Sequence, residues 1–312
     1  IYTLEFVGAS DVYKRQARYV PIMKYAVIFT LLSSILFGCA GGDAPNAEPF
    51  RAATFNLRLA PTPTANAWDL RSDAVAELAK KRGFDIFGTQ EGFFHQLDDI
   101  SARTGFKYIG KGRDDGARGG ETSAIFYNPA RFELLDSGDF WFAPTPDKPV
   151  KGWDAVCKRI CSWGKFRDLK TGKKFAFFSL HFDHKGKTAR AESAKMLVKK
   201  VAEISGGLPF FCVGDYNALP DSEPMKIIFA EKSFKDSLSS LRGAPESAGG
   251  TFHNFTGVPK RDRIDYIFVS DGVGVLGYAV IRDSIADLGL PANPKAAYPS
   301  DHFPVAVDAV LK

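Results

Sequence analysis

From Phe50 to the end of the chain, short apolar runs alternate with longer stretches of helical periodicity, and that alternation restricts the polypeptide to an α/β architecture. FRAATFNLRL alternates apolar and polar positions. FDIFGTQE, LPFFCVGDYN, RIDYIFVSD, VLGYAVIRD and HFPVAVDAVL are short runs rich in β-formers. TSAIFYNPARFELLDSGDFWFA reads as two strands around an Asn128-Pro129 turn, and RICSWGKFRD meets KKFAFFSLHFDH through a Thr171-Gly172 turn. Helices are fewer. DLRSDAVAELAKKRG places Val75 and Leu78 on one face and stops at Gly83, and FFHQLDDISARTG predicts a second helix. KTARAESAKMLVKKVAEI lines up Ala194, Leu197, Val198, Val201 and Ile204. Many strands with few helices predict one α/β domain over residues 50–312, built as two packed sheets with helices outside. Neither a repeat nor a second composition regime interrupts it.

Several of these runs stop on the same kind of residue. Asn56 ends ATFN, Glu91 ends DIFGTQE, His181 ends FAFFSLH, and Asp215 with Asn217 ends FFCVGDYN. Asp265 lies within RIDYIF, and Asp301-His302 is expected to open the last strand. Each alone reads as a turn former or a helix cap. Together they gather acids, amides and imidazoles at strand ends, where a rigid scaffold places catalytic groups. Buried carboxylates so gathered repel one another unless a positive charge sits among them.

TFNLR, TQE, HFDH, GDYNALPDS, RIDYIFV and SDHFPV occur in this order. The set resembles the motifs of the endonuclease/exonuclease/phosphatase superfamily over residues 50–312. The resemblance implies a four-layer α/β sandwich, two packed mixed sheets flanked by helices. It also implies a metal-dependent hydrolase of phosphate esters that uses in-line attack by water. A phosphodiesterase or nuclease is the leading expectation. A phosphatase or phosphodiesterase acting on phospholipid headgroups, or on phosphorylated sugars or inositols, is the alternative. A catalytically silent binding module is the reading from another class.

Residue by residue, Asn56, Glu91 and Asp301 are the expected metal ligands, hard oxygen donors suited to Mg²⁺ or Mn²⁺. His302 is expected to pair with Asp265. Asp215 would orient the water or protonate the leaving group, and Asn217 would hold a phosphoryl oxygen. His181 matches a second family histidine, expected to pair with Glu121 of ETSAIFYNP. Arg159 is expected to grip phosphate, and Asn254 to line the substrate pocket. His253 reads as an exposed loop residue. Trp141, Phe142 and Trp153 read as caps on the sandwich edge, with stacking on a ligand as their functional alternative. Some branches carry Asp two residues after the first-strand Asn, whereas this chain has Arg58, so one bound cation is expected.

The remaining features bear on partners and location. A formal net charge of +5, with Lys14, Arg15, Arg18 and Lys24 all before Cys39, is too mild for a nucleic-acid footprint. Residues 1–22 are expected to be a non-native leader, since DVYKRQ matches a translated transposase adaptor and marks 1–16 as an artefact. Met23 to Cys39 is expected to be a signal peptide, its apolar run shorter than the roughly 20 residues a span needs. LFGC resembles a bacterial lipobox, although Phe37 stands where a small residue is usual. A lipidated Cys39 with a flexible tether over 40–49 would anchor an exported protein to the bacterial envelope. The partners implied are that membrane and a phosphate ester, and no protein partner. Cys157 and Cys161, roughly 13 Å apart in a strand, cannot bridge without a local loop. Cys212 reads as core.

Overall fold

The computed structural model describes residues 47–59, 65–241 and 249–312. The expected leader, signal peptide, lipidation site and residues 40–46 of the tether lie outside the described residues. None of the described helices is long and apolar enough to cross a membrane.

In chain order the elements are β1 (Phe50–Asn56), α1 (Ser72–Lys81), β2 (Ile86–Gln90), α2 (Phe94–Thr104), β3 (Lys107–Ile109) and β4 (Ile125–Tyr127). There follow β5 (Phe132–Trp141), β6 (Ile160–Asp168), β7 (Lys174–His181), α3 (Lys187–Ser205), β8 (Phe210–Asp215) and α4 (Glu223–Ala230). The chain closes with β9 (Lys235–Asp236), β10 (Asp265–Val269), β11 (Val273–Val280) and β12 (Val305–Leu311). One six-stranded sheet has the order β11-β12-β1-β2-β4-β3 and the other β5-β6-β7-β8-β10-β9. Each contains one parallel pair, β1 with β2 and β7 with β8, joined by a helical crossover through α1 or α3.

The sheets face each other across a layer rich in aromatic rings. Phe50, Phe132, Phe166, Phe175, Phe177 and Phe211 fill it with Ile86, Val213 and Val307. Full burial of each such side chain contributes about 1.5–3 kcal/mol. Outside the first sheet, Val75 and Leu78 of α1 and Leu97 and Ile100 of α2 pack on Phe87 and Phe126. Outside the second, Leu197 and Val201 of α3 and Met225 and Ile228 of α4 pack on Phe178 and Cys212. The result is the four-layer sandwich expected from the motifs.

Gly88, inside β2, shows how closely the sheets approach. A Cβ there would lie 2.6 Å from both Ser179 Oγ and Val213 Cγ2. Gly88→Val is therefore expected to lower unfolding stability by about 1–3 kcal/mol through overpacking. A urea titration in which the midpoint does not move would show that the interface has slack.

Two strands flank the Asn128-Pro129 turn as expected, but they are not paired: β4 belongs to one sheet and β5 to the other. The last strand begins at Val305 and not at Asp301, because Pro304 has no N–H for the ladder and accepts only through its carbonyl, from Ile281. Asp301 and His302 thus stand on the loop before β12, where His302 bridges Phe252. The short helix α4, started by Pro224 in its first turn, is absent from the sequence reading. Cys157, Cys161 and Cys212 are free thiols.

Candidate active site

The topology brings the polar strand ends to one rim. Parallel pairing sets Asn56 beside Gln90 and His181 beside Asp215. Antiparallel pairing puts Asp265, the first residue of β10, opposite Asp215, the last of β8. Glu91 follows β2 with φ +62° and Asn217 follows β8 with φ +46°. Side chains other than glycine seldom adopt this region, and it turns both residues out of the strand path at the site.

Asn56 links the two sheets. Its amide nitrogen donates to Glu91 Oε1 at 3.2 Å and to Asp215 Oδ2 at 3.1 Å, while its oxygen accepts from the Arg58 amide at 3.0 Å. Glu91 also accepts from the Leu59 amide at 3.0 Å. Burial pushes the Glu91 carboxyl up, but that amide, the charges of His302 and Arg58 and the Asn56 amide outweigh it and leave it ionised below its usual range. The Asp301 carboxyl is pushed up by burial, against the nearby His302 and Arg58 charges. The Arg58 guanidinium lies 3.6 Å from Glu91 and 3.7 Å from Asp301, so a positive charge already bridges these two acids.

His302 Nδ1 donates to Asp265 Oδ2 at 2.9 Å, and its Nε2 lies 3.8 Å from Asp215 Oδ2. Burial disfavours its charge, yet Asp265, Asp215 and Asp301 prevail and raise its pKa to about 10. Burial and the adjacent Asp265 push Asp215 up to about 7, with His302 opposing. Asp215, Asp265 and His302 are close enough to hold a metal as a trio. A protonated imidazole has no lone pair to offer, so the hydrogen-bonded pair is a better description of this group.

His181 is in the opposite state. Burial and the Arg159 and Arg113 cations hold its pKa well below the usual imidazole range. Its Nε2 accepts from Asn217 Nδ2 at 2.9 Å, and that amide also donates to the Phe182 carbonyl at 3.1 Å. The Asn217 amide hydrogens are thus committed to the protein. Asn217 positions His181, and the expected N–H contact with phosphate is not available from this arrangement.

Further corrections concern partners. Glu121 does not pair with His181. It receives both terminal nitrogens of Arg113 at 2.6 and 2.7 Å, with its carboxyl pushed up by burial. Asn254 is exposed, does not line the cleft, and donates its backbone N–H to the Asp301 carbonyl at 3.1 Å. His253 is buried and not exposed, stacked on Phe303 at 3.8 Å between ring centres and edge-on to Tyr298. Trp141 and Phe142 are core residues, whereas Trp153 is at the surface.

The cleft around these groups encloses about 400 Å³. Arg159, only 4% exposed, lines it, donates to His184 Nδ1 at 2.9 Å and leaves Nη1 buried with no partner. Arg58, Arg113 and Arg261 line the same cleft, with Cys157, His184 and Phe252. The sequence reading missed Arg113, Arg261 and His184 as site residues. His184 stood in plain view inside HFDH, but Arg113 and Arg261 lie in loops that carry no periodic signal.

The profile of the Endonuclease/Exonuclease/phosphatase family matches residues 53–302. Solved structures agree along the same stretch. An endonuclease/exonuclease/phosphatase family protein from Bacteroides thetaiotaomicron is 40% identical, with a TM-score of 0.79 over 85% of this chain and 99% of that one. A mannosyl-6-phosphatase from Bacteroides thetaiotaomicron VPI-5482 is also 40% identical, with a TM-score of 0.78 over 84% of this chain and all of that one (100%). A family protein from Bacteroides vulgatus is 36% identical, with a TM-score of 0.76, covering 85% of this chain and 100% of its own. No curated protein sequence gives a significant match.

Proposed function

This chain belongs to the endonuclease/exonuclease/phosphatase family, and from that premise we propose that it is a divalent-cation-dependent phosphatase acting on a phosphorylated sugar. One observation carries the reading: Arg159 is buried with Nη1 unpartnered, in the same small cleft as Arg58, Arg113 and the charged His302. Arg159 has Asp183 Oδ1 at 3.4 Å from its Nε and His184 at Nη2, so Nη1 is the donor left open, and a buried donor without an acceptor is costly. A terminal phosphoryl group, with two negative charges and three exposed oxygens, supplies the acceptor that Nη1 lacks. The likeness to a mannosyl-6-phosphatase supports a sugar as the alcohol. The mild net charge of the chain gives a long polyanion little to hold.

Glu91 and Asp301 would hold the cation, and as oxygen donors they suit Mg²⁺ or Mn²⁺. Asn56 adds only the remaining lone pair of its oxygen, since the Arg58 amide takes the other. When bound, the cation would neutralise charge on a phosphoryl oxygen. The chain's own groups do the rest. Asp215, with its pKa near 7, accepts the proton of the attacking water. As the bond from phosphorus to the sugar oxygen breaks, His302 gives that oxygen its proton. The proton on Asp215 then restores His302 across the 3.8 Å between them. Arg159, and His302 until it gives up its proton, oppose the negative charge that grows on the phosphoryl oxygens.

The test is a panel. With Mg²⁺, mannose 6-phosphate and p-nitrophenyl phosphate should turn over faster than bis(p-nitrophenyl) phosphate, plasmid DNA, RNA, sphingomyelin or inositol phosphates. EDTA should abolish the rate, and Mg²⁺ or Mn²⁺ should restore it. Faster cleavage of a diester would replace the phosphatase with a phosphodiesterase. Absence of turnover on every substrate would leave the binding-module reading.

A further inference from the structure

Next to the catalytic cleft lies a second cavity of about 350 Å³ that shares His184, Asn217 and Arg261 with it. It opens between the start of α3 and the segment leading into α4. Its own lining carries both signs of charge. Lys187 and Arg190 bring donors, and Asp221 and Glu223 bring acceptors. An anion entering here meets two carboxylates, and a cation meets Lys187, Arg190 and the shared Arg261. A neutral molecule rich in hydroxyls satisfies both sets, because every hydroxyl donates and accepts. Leu219, exposed at 36%, adds an apolar surface of the kind on which a sugar ring rests.

We propose that this second cavity is a glycan subsite, which holds the sugar unit beyond the one that carries the phosphate. The substrate is then a phosphorylated oligosaccharide, and a free hexose phosphate leaves the cavity unfilled. The proposal rests on the reading of the neighbouring cleft as the phosphatase centre. It adds what that reading leaves open, the size and chemistry of the alcohol. Asn217 ties the two cavities together. Its amide nitrogen orients His181 in the first, and the residue lines the wall of the second.

The double variant Lys187→Ala/Asp221→Ala removes one donor and one acceptor, both at exposed positions outside the catalytic cleft. Its kcat/KM should fall about tenfold on a mannose disaccharide bearing a terminal 6-phosphate and stay unchanged on p-nitrophenyl phosphate, the loss of about 1.4 kcal/mol of contact. Binding gives a readout independent of turnover. The phosphate-free mannose disaccharide should shift the amide resonances of residues 218–223 in the unaltered protein and leave them in place in the double variant. An equal fall on both substrates, or no fall on either, overturns the subsite. So does a shift of those amides by inorganic phosphate in place of the disaccharide. If no phosphate ester turns over and the disaccharide still shifts these amides, the subsite stands and the phosphatase reading falls.

Discussion

Turnover in His302→Ala is expected to fall at least about 10³-fold, with the thermal midpoint within a few degrees of the parent. The magnitude follows from the two duties of this side chain. Held protonated by Asp265, with a pKa of about 10, it would in the proposed mechanism oppose negative charge on the phosphoryl oxygens and supply the proton of the leaving oxygen. Each such duty is worth about 10²–10⁴-fold elsewhere. Removing it also leaves Asp265 and Asp215 facing each other across a β10–β8 pair with no cation between them. With the His302 charge gone, their repulsion should push the Asp215 carboxyl further up, so whatever activity remains should rise with pH as Asp215 ionises. A single-turnover measurement on p-nitrophenyl phosphate decides the matter, and near-parental rates would remove His302 from the centre.

Glu91→Ala is expected to lose as much activity for a different reason. Glu91 is the ionised acid of the pair that Arg58 bridges, and its backbone already sits at a strained φ of +62°. Alanine retains the left-handed turn at some cost and deletes the carboxylate. Titration with Mn²⁺, followed by electron paramagnetic resonance, should show affinity weakened by 10-fold or more, with the circular dichroism spectrum unaltered. If Mn²⁺ binds as before and only the rate falls, Glu91 acts on the substrate directly and the cation sits elsewhere.

The sequence displayed the rim because polar residues there end apolar runs. A β-strand that stops on Asn, His or Asp does so visibly, and parallel pairing of β1 with β2 and of β7 with β8 turns those stops into neighbours. What stayed hidden depends on loops. Arg113 reaches Glu121 because the segment between them folds back so tightly that a Cβ on Gly112 would meet the Gly119 carbonyl at 2.2 Å. Nothing periodic announces that fold-back, so the sequence alone points Glu121 to His181 in its place. His253 lies in a stretch, TFHNFTG, with neither helical nor strand periodicity, and so reads as an exposed loop residue. Its burial comes from Tyr298 and Phe303, some fifty residues further along the chain. Asp301 and His302 precede an apolar run that reads as strand from its first residue, but Pro304 delays the ladder to Val305.

Asn56 bonds to an acid of each sheet through one nitrogen, and the sheets below it are held apart by a floor of phenylalanines. The spacing of the reacting groups is therefore inherited from the interior and cannot be adjusted locally. Loops at the rim can be rebuilt without moving that floor, whereas a change of volume in the ring layer should be transmitted to the groups above it.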